Sequence, residues 1–217
     1  IGMAEFQEAV ERVMAGPERR SRIISPEEKE IIAYHEAGHA LVMRMLPGCD
    51  PVHKVSIVAR GVALGYTMPL PEGDRYLQSR SRFRDELAGL LGGRAAEELV
   101  FQDVTTGAAN DLERATRLAR KMVTEYGMSE RLGPLTFGQK EELVFLGKEI
   151  GEQRNYSEEV ARQIDEEVRR FIEEAYARAK EVLSRHRDRL DRLAHALMER
   201  ETLEGEELKA ILDGVPA

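Results

Sequence analysis

The sequence predicts a mainly α protein of the α+β class: a helical domain with a small antiparallel sheet inserted early and an exposed edge strand. Three observations lead there. Most of the chain carries apolar residues at three- and four-residue spacing, the signature of helices with one buried face. One short region, 53–69, instead alternates apolar and polar residues and is rich in β-branched side chains. The 217 residues are 42% hydrophobic and 33% charged, enough for one sizeable core and unlike a disordered chain.

The elements follow in order. Residues 1–16 read as a short amphipathic helix with Met3, Phe6, Ala9, Val10 and Val13 on one side. Gly16-Pro17 breaks it. Ser25-Pro26-Glu27-Glu28 is a helix start: an N-cap, proline at the first position and acids in the first turn. The helix then runs from Pro26 to Met45, nearly apolar all round and hence central, until Pro47-Gly48 ends it. "VHKVSIVAR" predicts a strand near 53–59. "VALGYTMP" predicts a second, antiparallel strand, which the prolines at 69 and 71 place at the sheet edge.

The helical pattern resumes from Ser81 to Phe101, where Gly92-Gly93 marks either a weak point or a close helix contact. Another helix is expected over Ala108–Tyr126, stopped by Gly127. A loop with one short strand follows, and 139–156 reads as a mobile loop. Ser157 opens a long helix striped by Val160, Ile164, Val168, Phe171, Ala175 and Ala179. A further helix carries Leu190, Leu193 and Leu197, and a short last one follows "ETLEGEE".

Bulk charge narrows the function. The net charge of −8 argues against a nucleic-acid partner. No apolar run reaches the roughly 18 residues that span a bilayer, and no signal-peptide pattern opens the chain. The chain is therefore expected to be soluble by itself. The single cysteine, Cys49, excludes an intrachain disulfide.

The chemistry is concentrated in "IIAYHEAGHALVMRM", residues 31–45. His35 and His39, four apart, share one helix face about 6 Å apart along the axis. Two unpaired imidazoles in an apolar helix would be costly, whereas one ion accepts both. Glu36, one step round, is placed to serve as the base for a water on that ion. H-E-x-x-H thus encodes two metal ligands and a general base. A catalytic zinc needs a third protein ligand. No histidine follows at a suitable spacing, so the candidates are Glu97 and Glu98 in "GGRAAEELV" and Asp111 in "GAANDLERA". Spacing favours Asp111 only modestly. His53 could approach the site, while His186 and His195 read as surface residues.

Together, "SPEEKEIIAYHEAGHALV", "GGRAAEELVF" and "TTGAANDLERATRLARKMVTEYGMSE" closely resemble the protease domain of the FtsH family of membrane-anchored, ATP-dependent zinc proteases. The likeness covers about residues 20–212. It implies a zinc metalloprotease domain over 20–217, with residues 1–19 similar to the end of an AAA+ ATPase module and its linker. It implies one Zn2+ per chain on His35, His39 and Asp111, with Glu36 as catalytic base. Glu97 and Glu98 then become supporting residues, Glu97 being the runner-up ligand.

The resemblance further implies a homohexamer that degrades unfolded or misfolded polypeptides, with ATP and Mg2+ bound only by an AAA+ module outside these residues. Anchoring would come from transmembrane segments also outside them, on the cytoplasmic side of the bacterial inner membrane. Extended substrate is expected along the edge strand Val62, Ala63, Leu64, Gly65, Tyr66 and Thr67, where Gly65 would let its backbone come close. The competing reading is a catalytically dead scaffold whose helices serve only hexamer assembly.

Overall fold

The computed structural model describes residues 24–59, 64–70, 73, 76–138 and 155–214, with positions 2, 9, 12 and 13. The helix expected over 1–16, apart from those positions, the division at residues 19 and 20, and most of loop 139–156 lie outside the described residues.

The central element is α1, Pro26–Met45. Ser25 caps it as the sequence predicts. Its hydroxyl accepts from the Glu28 N–H at 3.1 Å, and the Glu28 carboxylate reaches back to the Ser25 N–H. This reciprocal cap fixes the start of the helix. From Ile32 to Val42 every residue is buried, because the helix is covered on all sides. It packs against α3 (Gly92–Phe101) and α6 (Arg187–Arg200), and also touches α2 (Arg80–Leu90), α5 (Glu158–Arg185) and the sheet.

The stretch 81–101 is not one helix. It breaks at Leu91 into α2 and α3. The glycine pair explains why. A Cβ on Gly38 of α1 would lie 2.5 Å from the Gly92 carbonyl oxygen, and a Cβ on Gly92 would lie 2.7 Å from that of Gly38. Both helices present bare backbone at their crossing. The glycines are therefore a break and a close contact at once.

The sheet has three strands, in the order β2-β1-β3, all antiparallel. β1 spans Val52–Ser56 and β2 spans Tyr66–Pro69, both shorter than predicted. β1 stops at Ser56, and the Ile57 N–H turns to the Glu201 carbonyl. Val62 and Ala63 lie outside the described residues, while Leu64 and Gly65 are not in a strand. β3, Thr202–Glu204, comes from the far end of the chain and makes β1 the central strand. β2 is an edge strand, as expected. The short strand expected near 128–138 is absent, and that segment forms turns.

After α3, a 3-10 turn over Thr106–Ala108 leads into α4, Ala109–Thr124. This helix ends before Tyr126, and Gly127 adopts φ +57 just beyond it. In α5, Ile164, Phe171, Ala179 and Leu183 are almost completely buried, which confirms the predicted stripe. Burying each large side chain of this kind contributes about 1.5–3 kcal/mol. The last helix, α7, spans Gly205–Asp213. No helix among the described residues is long and apolar enough to cross a membrane.

Candidate active site

The site forms where α1 meets the start of α4 and the end of α2. His35 and His39 lie one turn apart on α1, both buried. Each ring is held through its Nδ1. That of His39 lies 2.8 Å from the Gly89 carbonyl oxygen of α2, which can only accept. That of His35 lies 2.6 Å from Glu97 Oε1 of α3. With both Nδ1–H groups donating outward, both Nε2 lone pairs point inward. They sit 3.0 Å apart. Asp111 Oδ2, from the first turn of α4, completes the triangle at 3.4 Å from His35 Nε2 and 3.5 Å from His39 Nε2.

This triangle is a test of metal fit. Three acceptors with no proton among them repel one another unless a positive charge stands between. Ligand atoms about 2.0–2.1 Å from a tetrahedral zinc are roughly 3.3 Å apart, close to the spacing seen here. His35, His39 and Asp111 are also the one cluster among the described residues whose donors converge as a metal site requires. The residues therefore fit zinc.

The electrostatics agree. Burial pushes the His35 pKa down, but the carboxylates of Asp111 and Glu97 outweigh it and raise it to about 10. Burial likewise opposes charge on Asp111, yet the two imidazoles hold its carboxyl well below the usual range. The cluster demands a cation, whether proton or metal.

Glu97 stands outside this triangle. Its Oε1 accepts from His35, and its Oε2 accepts from the Thr105 N–H at 2.6 Å, just ahead of the turn that delivers Asp111. One buried carboxylate thus orients His35 and braces the loop leading to Asp111. Its pKa is lowered, since the hydrogen bonds from His35 and Thr105 overcome burial. Glu97→Gln removes that charge and is expected to weaken zinc binding about 10–100-fold. Competition with a chromophoric chelator measures this, and an unchanged affinity would deny Glu97 the role. Gly93 is equally constrained, as a Cβ there would lie 2.5 Å from His35 Nε2.

Glu36 is buried beside this cluster. Its Oε2 accepts from the Thr67 hydroxyl at 2.8 Å, which brings β2 against the site. Burial pushes its pKa up, only partly offset by His35, His39 and Thr67. The place a side chain would take at Gly65 is filled by Glu36. A Cβ on Gly65 would lie 2.8 Å from Glu36 Oε1 and 2.9 Å from the Ser56 carbonyl oxygen.

The remaining candidates lie elsewhere. Glu98 faces Tyr176 and Lys180 on α5. The exposed His195 bonds its own helix at the Asp191 carbonyl. His186 sits between α5 and α6, and His53 in β1 is no member of the cluster. The sequence reading names both Glu97 and Glu98 as supporting residues, and only the packing of α3 shows that Glu97 is the one facing α1.

A buried H-E-x-x-H helix, a carboxylate converging on its imidazoles and a sheet edge beside its glutamate define the class of zinc metallopeptidases. The chain belongs to peptidase family M41, whose model matches residues 22–211. It is 64% identical over 98% of its length to the ATP-dependent zinc metalloprotease FtsH 1 of Sphaerobacter thermophilus. It is 60% identical over 98% to the ATP-dependent zinc metalloprotease FtsH of Pseudothermotoga lettingae, and 59% identical over 98% to that of Thermotoga maritima. The chain spans about a third of the length of these relatives: 33%, 34% and 35% in turn.

Proposed function

We propose that this chain is the zinc endopeptidase domain of an ATP-dependent protease that degrades unfolded, misfolded or membrane proteins. His35, His39 and Asp111 hold the metal and Glu36 is the general base. The observation that carries this is the inward convergence of two Nε2 lone pairs and one carboxylate oxygen, with both Nδ1 atoms already engaged. A dead scaffold has no use for such an arrangement, with a carboxylate beside it.

Zinc, when bound, supplies Lewis-acid polarisation of the scissile carbonyl and a lower pKa for water at the site. Glu36 takes the proton of the attacking water and passes it to the leaving amine. The edge of the sheet, anticipated as Val62–Thr67 and described from Tyr66, offers an extended polypeptide a strand to pair with beside Glu36. Backbone pairing reads little sequence, which suits unfolded substrates. The names of the relatives support the coupling to ATP. Under this reading ATP and Mg2+ bind an AAA+ module, the chain works in a homohexamer, and membrane anchoring on the cytoplasmic side comes from segments outside these residues.

The test is cleavage of a denatured, fluorescently labelled protein together with metal analysis. About one zinc per chain is expected, with cleavage abolished by a chelator and restored by zinc. A chain without zinc and without cleavage would favour the scaffold.

A further inference from the structure

We infer that Thr67, with Gly65, is the positioning device for Glu36, so that the substrate-side strand itself aims the general base. This rests on reading Glu36 as that base.

The geometry is specific. Val55 pairs with Thr67 across β1 and β2, so the two share a sheet face, and Val55 is fully buried. Side chains alternate along a strand, which turns Thr67 inward toward α1. There its hydroxyl lies 2.8 Å from Glu36 Oε2 and 3.2 Å from the Glu36 carbonyl oxygen. Two residues earlier, Gly65 presents no side chain where Glu36 Oε1 and Cγ lie. One carboxylate oxygen is thus fixed by a donor and the other rests over bare backbone. The fixed oxygen sets the plane of the carboxylate, and Oε1 keeps its lone pairs for the proton. Thr67 gives up no proton in the cycle; it restricts where Glu36 can point.

Threonine suits this task better than serine or valine. Its β-branch stiffens χ1, so the hydroxyl stays aimed, whereas valine keeps the shape and loses the donor. Because β2 is also the edge on which extended substrate would lie, base and substrate share one reference frame. A displacement of the strand would misplace both together.

The experiment compares Thr67→Val, Thr67→Ser and Glu36→Gln with the parent, measuring zinc content, kcat, KM and melting temperature. For Thr67→Val, kcat is expected to fall about tenfold or more, with KM within about twofold and zinc unchanged. Thr67→Ser is expected to recover most of the kcat. A crystal structure of Thr67→Val should show the Glu36 carboxylate turned from its place over Gly65. Parental kcat in Thr67→Val, beside an inactive Glu36→Gln, overturns the inference alone. Equal losses in the valine and serine variants that track melting temperature overturn it too, since the strand would then matter only for stability. Parent and Glu36→Gln equally inactive with zinc bound would overturn the peptidase reading, and the inference falls with it.

Discussion

Glu36→Gln is expected to lower peptide-bond hydrolysis by about 10²–10⁴-fold while zinc content stays at the parental level. The substitution keeps the size of the side chain and an oxygen that accepts from Thr67. It removes only the capacity to take a proton. Glu36 is not among the three converging donors, so the metal has no reason to leave. Stability should not suffer. Burial penalises the charged carboxylate, as its raised pKa records, so glutamine should keep or raise the melting temperature. The base must be ionised to take the proton, so activity should fall on acidification, and a pH profile of kcat/KM that stays flat on its acid side would contradict this assignment.

The legible part of the site was the part encoded by short-range spacing. His35, Glu36 and His39 could be placed because a helix converts a four-residue interval into a shared face. Asp111 could not be chosen by spacing alone. Its approach depends on the 3-10 turn at Thr106–Ala108 and on Glu97 gripping Thr105, contacts that join separate elements. The same limit applies to the fold. The long amphipathic helices were visible, whereas β3 is three residues, Thr202–Glu204, and exists by pairing with β1 nearly 150 positions earlier. Gly92-Gly93 was visible as an anomaly, but its meaning lay in Gly38, on another helix. Gly65 shows the same limit, since the carboxylate that lies against its bare backbone belongs to Glu36 on another element.

Asp111→Ala should separate metal binding from base catalysis in the opposite sense to Glu36→Gln. Removing one of three protein donors leaves two imidazoles facing each other without an anion to balance the charge of the ion. Replacing a partner outside the ligand set costs about 10–100-fold in affinity, so loss of a ligand should exceed about a hundredfold. The purified variant should lose its zinc on dialysis and lose cleavage with it. Excess zinc should restore metal occupancy before it restores activity. Glu98→Gln, adjacent in sequence to Glu97 but turned toward Tyr176 and Lys180, is the matched control and should keep both zinc and cleavage. Parental zinc affinity in Asp111→Ala would remove Asp111 from the ligand set and return the third position to Glu97. That outcome would require Glu97 to leave His35 Nδ1 and Thr105, two short hydrogen bonds that now hold it in place. The proposed metal site therefore rests on Asp111, a residue reached only after the chain has crossed α2, α3 and a single turn of 3-10 helix.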